Sequence, residues 1–126
     1  MKKIVKKAIF YIFNLILFKL YLDIVKFTDY SSEREPAEVV QMLSELFKQF
    51  DDSCRDLNCY KVHTIGDCYV VMSFTGRVPL NERNFKEEAK NVVKMGESMI
   101  ETIKKVRESV NFHQLNMRIG IHTVYK

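Results

Sequence analysis

The stretch from Tyr60 to Phe74, YKVHTIGDCYVVMSF, leaves the chain few options. Two runs, Cys59 to Ile65 and Cys68 to Phe74, are rich in Val, Ile, Tyr and Phe, side chains that suit a pleated, partly buried surface. Only Gly66 and Asp67 separate them, a pair that fits a two-residue hairpin loop. Such a loop carries the Asp67 carboxylate past the sheet, where it can face a ligand. A lone acid on a turn more often satisfies turn backbone. Asp23 changes that balance. It closes another apolar run, in Leu22-Asp-Ile-Val-Lys-Phe-Thr28, just before a helix. Two carboxylates at adjacent strand ends suit a hard divalent cation.

At 126 residues the chain makes one domain at most. Its apolar fraction of 47% and charged fraction of 29% are those of a folded chain, not a disordered one. Residues 1–20 carry Lys2, Lys3, Lys6, Lys7 and Lys19 and no acid, so the remainder sums to −1 against an overall +4. The basic excess is N-terminal and argues against a nucleic-acid surface across the domain. Cys54, Cys59 and Cys68 have neither zinc spacing nor an even count, which points to reduced thiols in an intracellular protein.

Residues 1–22 have two main readings, with a cleaved signal peptide as a remote third. A basic opening precedes an apolar run from Ala8 to Leu22, broken only by Asn14 and Lys19. The run is shorter than the ~20 residues that span a bilayer. Asp23 follows it, not a small-residue cleavage site. One reading is a buried central strand over 15–25 behind a basic, apolar extension, residues 1–14. The other is membrane contact through residues 1–22.

Residues 29–35 then read as a polar turn. Pro36 suits the first turn of a helix. Val39, Val40, Leu43, Leu46, Phe47 and Phe50 form its apolar stripe, and it ends near Leu57 and Asn58. Residues 76–82, with Pro79, read as a loop. Asn84 caps a second helix, with Glu87 as the reciprocal partner. Its stripe is Ala89, Val92, Val93, Gly96, Met99, Ile100 and Ile103, with Gly96 placed for close packing on the sheet. A last strand covers 115–122. This order predicts an α+β, ferredoxin-like βαββαβ fold, an antiparallel sheet with two helices on one face. Many functions share that fold, so function has to come from the site.

Three segments carry a resemblance: Asp23-Ile-Val-Lys-Phe-Thr28, Lys61-Val-His-Thr-Ile-Gly-Asp-Cys-Tyr69 and Asn116-Met-Arg-Ile-Gly-Ile-His-Thr123. Together they resemble the class III adenylate and guanylate cyclases, above all the metal-binding half of the eukaryotic enzymes. The resemblance covers residues 15–123. It implies that Asp23 and Asp67 hold two magnesium or manganese ions, with Ile24 lending a backbone carbonyl. It implies that Val25, Lys26, Phe27 and Thr28 wrap the triphosphate of GTP or ATP with their amides. Ile65 and Gly66 match the hairpin that closes on the nucleotide, and Arg118 matches an arginine on the terminal phosphates. The implied reaction is attack of the ribose 3′-hydroxyl on the α-phosphate, with pyrophosphate leaving. Metal-held carboxylates, helix N-terminal amides and a planar guanidinium all suit that chemistry.

The sequence departs from the family pattern in places. His63 stands where a base-reading half carries Glu or Lys, so a partner half is expected to choose the base. Lys26 replaces the usual Gly of the phosphate-wrapping segment. The chain ends Thr123-Val-Tyr-Lys126, where the family continues into the segment with the base-reading acid and the catalytic Asn and Arg. The expectation is a C-terminally truncated cyclase domain over 15–126, on the cytoplasmic face. It needs a second half, in a homo- or heterodimer, to form cyclic GMP or cyclic AMP. Two other readings stand beside it. One is a non-catalytic cyclase-like domain that regulates or binds a partner. The other is an RNA-binding module of the same fold, stacking bases on Tyr60, Tyr69 and Phe74. The −1 balance and the paired acids oppose the second. Without the resemblance, Asp23 reads as a turn residue, Arg118 as a solvated strand residue and His63 as a half-buried hairpin side chain. His113 and His122 read as structural, and Cys68 as a small buried residue.

Overall fold

A computed structural model describes residues 17–73 and 79–124. Strand β1 (Leu17–Ile24) runs through the middle of the sheet. Leu20, Leu22 and Ile24 alternate into the core, which sends Tyr21 and Asp23 to the opposite face. A short helix α1 (Phe27–Ser32), a long helix α2 (Pro36–Asp56) and the hairpin of β2 (Tyr60–Ile65) and β3 (Cys68–Met72) follow. A single 3₁₀ turn (Leu80–Glu82), helix α3 (Phe85–Ser109) and strand β4 (Met117–Val124) complete the described chain. The sheet order is β2-β3-β1-β4, antiparallel throughout, which is the ferredoxin-like βαββαβ arrangement.

The core lies between the sheet and helices α2 and α3. Met42, Leu46, Phe50 and Cys54, each four residues apart, form the buried ridge of α2. Val92, Met95, Gly96, Met99, Thr102, Ile103 and Val106 form that of α3. Phe50 meets Tyr69 edge-on at 5.2 Å, and Phe47 approaches the same ring at 5.3 Å. Such pairs add to the burial of the rings themselves. The other face of the sheet presents Tyr21, Tyr60, His63, Ile65, Gly120 and His122, all exposed.

Several expectations need correction. Val40, Val93 and Ile100 are 62%, 49% and 46% exposed and lie outside the buried stripes. The helices are rotated so that Met42, Cys54, Met95 and Val106 take the inner positions, and methionine fills such gaps readily. Residues 29–35 do not form a simple turn. Most of α1 forms there because Tyr30 is buried against Phe112, with ring centroids 4.7 Å apart. The Ser31 and Ser32 hydroxyls donate to the carbonyls of Phe27 and Asp29, both at 2.9 Å, and satisfy its last turn. Strand β4 starts at Met117, two residues later than expected; Leu115 is buried before it, and Arg107 Nε donates to its carbonyl at 2.8 Å. Asn84 caps α3 by accepting from the Glu87 amide at 3.1 Å. A capping box that the sequence reading passed over opens α2, where Glu35 and Glu38 serve each other's backbone. The strand expected over 15–25 begins at Leu17; the extension before it lies outside the described residues. No described helix is long and apolar enough to cross a membrane.

Candidate functional site

The hairpin works as its two central residues suggest. Gly66 adopts φ +57, a conformation glycine takes without a Cβ penalty, and Asp67 follows it into β3. The Asp67 carboxylate turns onto the end of β1, where its Oδ2 accepts from the Ile24 amide at 3.3 Å. Asp23 is the neighbouring residue of β1 and points to the open face. Directly opposite it on β4 stands Arg118. The arginine grips the carboxylate with both arms, Nε to Oδ1 at 3.1 Å and Nη2 to Oδ2 at 2.8 Å.

The register orders the remaining candidates around this pair. Ile65 is paired with Cys68, and Asp23 with Arg118, so these four share the row that closes the open face at one end of the sheet. His63 is paired with Val70, and Val70 with Tyr21, which places His63 one same-face row further in, about 7 Å along the strand direction. A bulge at Lys61/His63 sets that phase. On the other side of Asp23 the backbone leaves the sheet. The Val25 amide donates to the Asn116 carbonyl at 2.9 Å, pinning the exit of β1 to the start of β4. Lys26 then takes φ 56 and ψ 33, in the left-handed region, and α1 begins at Phe27. The first helical bond runs from the Tyr30 amide to the Lys26 carbonyl at 3.0 Å, so the amides of Phe27 and Thr28 precede it.

The electrostatics report two carboxylates converging. Burial, then the Asp23 and Asp67 charges, push the Cys68 thiol up. The hydrogen bonds and then the charge of Asp23 raise Arg118, and Asp67 adds to this. Among the described residues no cluster of three or more His, Cys, Asp or Glu side chains could form a closed metal cage. Two carboxylates are, however, what magnesium takes from a protein when phosphates and water complete its shell. The donor set therefore fits a hard cation that arrives with a phosphate ligand. It falls short of zinc, since among the described residues no set of three His, Cys, Asp or Glu ligands gathers there.

His113 and His122 are apart from this row. His122 stacks on Tyr21 with centroids 5.3 Å apart and planes 4° from parallel. Tyr69 is fully buried on the helix side and donates to Asp51 Oδ1 at 2.6 Å, which removes it from any base-stacking surface. Phe74 lies outside the described residues. Sequence reasoning found the acids but missed two groups that organise them, the Arg118 clamp on Asp23 and the Asn116 carbonyl on Val25. An antiparallel pairing of the end of β1 with the start of β4 carries the signal for both.

Comparison with known proteins agrees with this geometry. The family model for the adenylate and guanylate cyclase catalytic domain matches residues 16–124. Atrial natriuretic peptide receptor 2 of Anguilla japonica is 40% identical over 105 residues, 82% of this chain and 9% of that protein. Guanylate cyclase beta of Plasmodium falciparum is 35% identical over 103 residues, 82% of this chain and 3% of that protein. The solved guanylate cyclase domain of RhGC from Catenaria anguillulae, in complex with GTP, superposes with a TM-score of 0.71 at 27% identity, over 87% of this chain and 57% of that one. The chain thus spans less than a tenth of these two curated relatives and a little over half of the solved domain. Motifs, sheet order and a match across residues 16–124 converge, and the chain belongs to the adenylate and guanylate cyclase catalytic domain family.

Proposed function

We propose that this chain is the metal- and triphosphate-holding half of a nucleotide cyclase site, within a domain over residues 15–126. A second cyclase half completes the site, which forms cyclic GMP and pyrophosphate from GTP, with ATP and cyclic AMP as the alternative pair. The observation that carries the reading is the meeting of Asp67 and Asp23 at the end of β1, with Arg118 across from them. Bound magnesium or manganese would supply Lewis-acid activation of the 3′-hydroxyl and neutralise phosphate charge. Asp23, Asp67 and the Ile24 carbonyl are the groups that would hold the ions. Val25 to Thr28 and the Ile65–Gly66 loop flank the phosphates, and Arg118 engages the terminal ones with its planar fork. His63, exposed on the open face, faces the partner half and leaves the choice of base to it. Preference for GTP accords with the guanylate cyclase names of the relatives. Nucleoside triphosphate supply places the site on the cytoplasmic side.

The test is binding of 3′-deoxy-GTP by the purified chain with manganese, followed calorimetrically, beside Asp23→Ala and Asp67→Ala. Both variants are expected to lose at least about tenfold in affinity, since each removes a charged ligand. Binding indifferent to both changes would replace this reading with the non-catalytic interaction domain.

A further inference from the structure

The Arg118–Asp23 pair bears on how the site loads. Both oxygens of Asp23 are engaged by one guanidinium, at 3.1 and 2.8 Å. The pairing is built into the sheet, because β1 and β4 set the two residues opposite each other. A fork-on-fork contact takes one lone pair on each carboxylate oxygen. It also puts a positive charge where another would have to come in. The arginine side chain is 74% exposed, so packing does not lock it there. Asp67 is placed differently, accepting through Oδ2 from a neutral amide.

We propose that Arg118 is a resident counter-ion that keeps bare divalent cations off Asp23 and yields only when a polyphosphate takes its guanidinium. The inference rests on reading Arg118 as a phosphate contact. A polyphosphate offers the fork several anionic oxygens in place of one carboxylate. Once the fork moves over, Asp23 is open to the cation the polyphosphate carries. Cation and polyphosphate therefore load together, and each tightens the other by the same factor, as linkage requires. The site selects a metal–polyphosphate complex over the free metal.

The test compares the chain with Arg118→Gln, Arg118→Lys and Asp67→Ala for two probes. Manganese alone is titrated by the electron paramagnetic resonance of the free ion, and the preformed manganese–tripolyphosphate complex is titrated by calorimetry. The expected pattern is crossed. Arg118→Gln binds manganese alone about two- to fivefold tighter, because an exposed ion pair of this kind is lost, yet binds the complex more weakly. Arg118→Lys, which keeps the charge without the fork, falls between. A purely structural role would weaken both probes together and overturns the inference. Weaker complex binding with manganese alone unchanged also overturns it, while leaving the phosphate reading intact. Complex binding that depends on neither Arg118 nor Asp67 overturns the phosphate reading and the inference with it. Arg118 is solvent-exposed, so both Arg118 variants are expected to keep the wild-type circular dichroism spectrum.

Discussion

Lys26 holds a backbone conformation that suits a different residue. At φ 56 and ψ 33 its Cβ is crowded by its own backbone, at a cost of about 1–2 kcal/mol relative to glycine. Its side chain makes no capping hydrogen bond to α1, so replacing it removes no such contact. Glycine in turn gives the unfolded chain more freedom, which offsets about 0.5–1 kcal/mol. The net expectation for Lys26→Gly is stabilisation by about 0.5–1 kcal/mol. For a chain of 126 residues, an unfolding entropy of about 2.1 cal/mol/K per residue converts this to a rise in Tm of about 2–4 °C. Lys26→Ala keeps the Cβ and should gain nothing. Thermal melts of the three proteins by far-ultraviolet circular dichroism decide the matter. A Tm for Lys26→Gly at or below wild type, or an equal gain in Lys26→Ala, refutes the strain argument. The position lies between Asp23 and helix α1. A lysine there is thus a local cost in stability at the edge of the candidate site.

Three further outcomes follow from the packing. A Cβ added at Gly96 would lie 3.5 Å from Leu20 Cδ1 and 3.7 Å from Ile121 Cδ1, ordinary contact, so Gly96→Ala in the middle of α3 should stabilise by about 1 kcal/mol in urea melts. Val93→Glu on the outer side of α3 should shift stability by less than about 0.5 kcal/mol, whereas Met95→Glu, two residues on and fully buried, should abolish cooperative unfolding. Burial, then the neighbouring Cys54, push the Cys59 thiol from 9.0 to about 12, and burial raises Tyr69 above its ordinary value. Above pH 9 the unfolded chain releases the Cys59 proton while the native chain keeps it, so this contribution is complete below pH 9 and is lost between pH 9 and 12. The unfolding free energy from urea melts should fall across that window at up to about 1.4 kcal/mol per pH unit for the group, and less steeply in Cys59→Ala.

The fold was legible where one local rule dominates. Gly66-Asp67 between two β-rich runs allows little but a hairpin, and Asn84 and Pro36 mark helix starts by their backbone chemistry. Helix phase was less legible. Val40, Val93 and Ile100 fit a three-and-four spacing as well as their neighbours do, and only packing against the sheet chooses Met42, Met95 and Val106 in their place. Helix α1 was hidden because its sequence is polar and one residue, Tyr30, anchors it. At the site, residue identities could be read from three motifs. Their contacts could not, because the Asp23–Arg118 clamp depends on a register between strands 95 residues apart in the chain. The base-stacking reading lost Tyr69 to the same kind of fact, since the alternation of β3 turns that ring inward.

The central claim is that this chain supplies working metal and phosphate contacts to a cyclase site. The most direct measurement mixes it with a complete cyclase domain whose own two metal-holding aspartates are replaced by alanine, then assays cyclic nucleotide formation with manganese and GTP or ATP. The account predicts activity on mixing with the wild-type chain and none with Asp23→Ala or Asp67→Ala. No activity in any mixture, or equal activity with the aspartate variants, would contradict it.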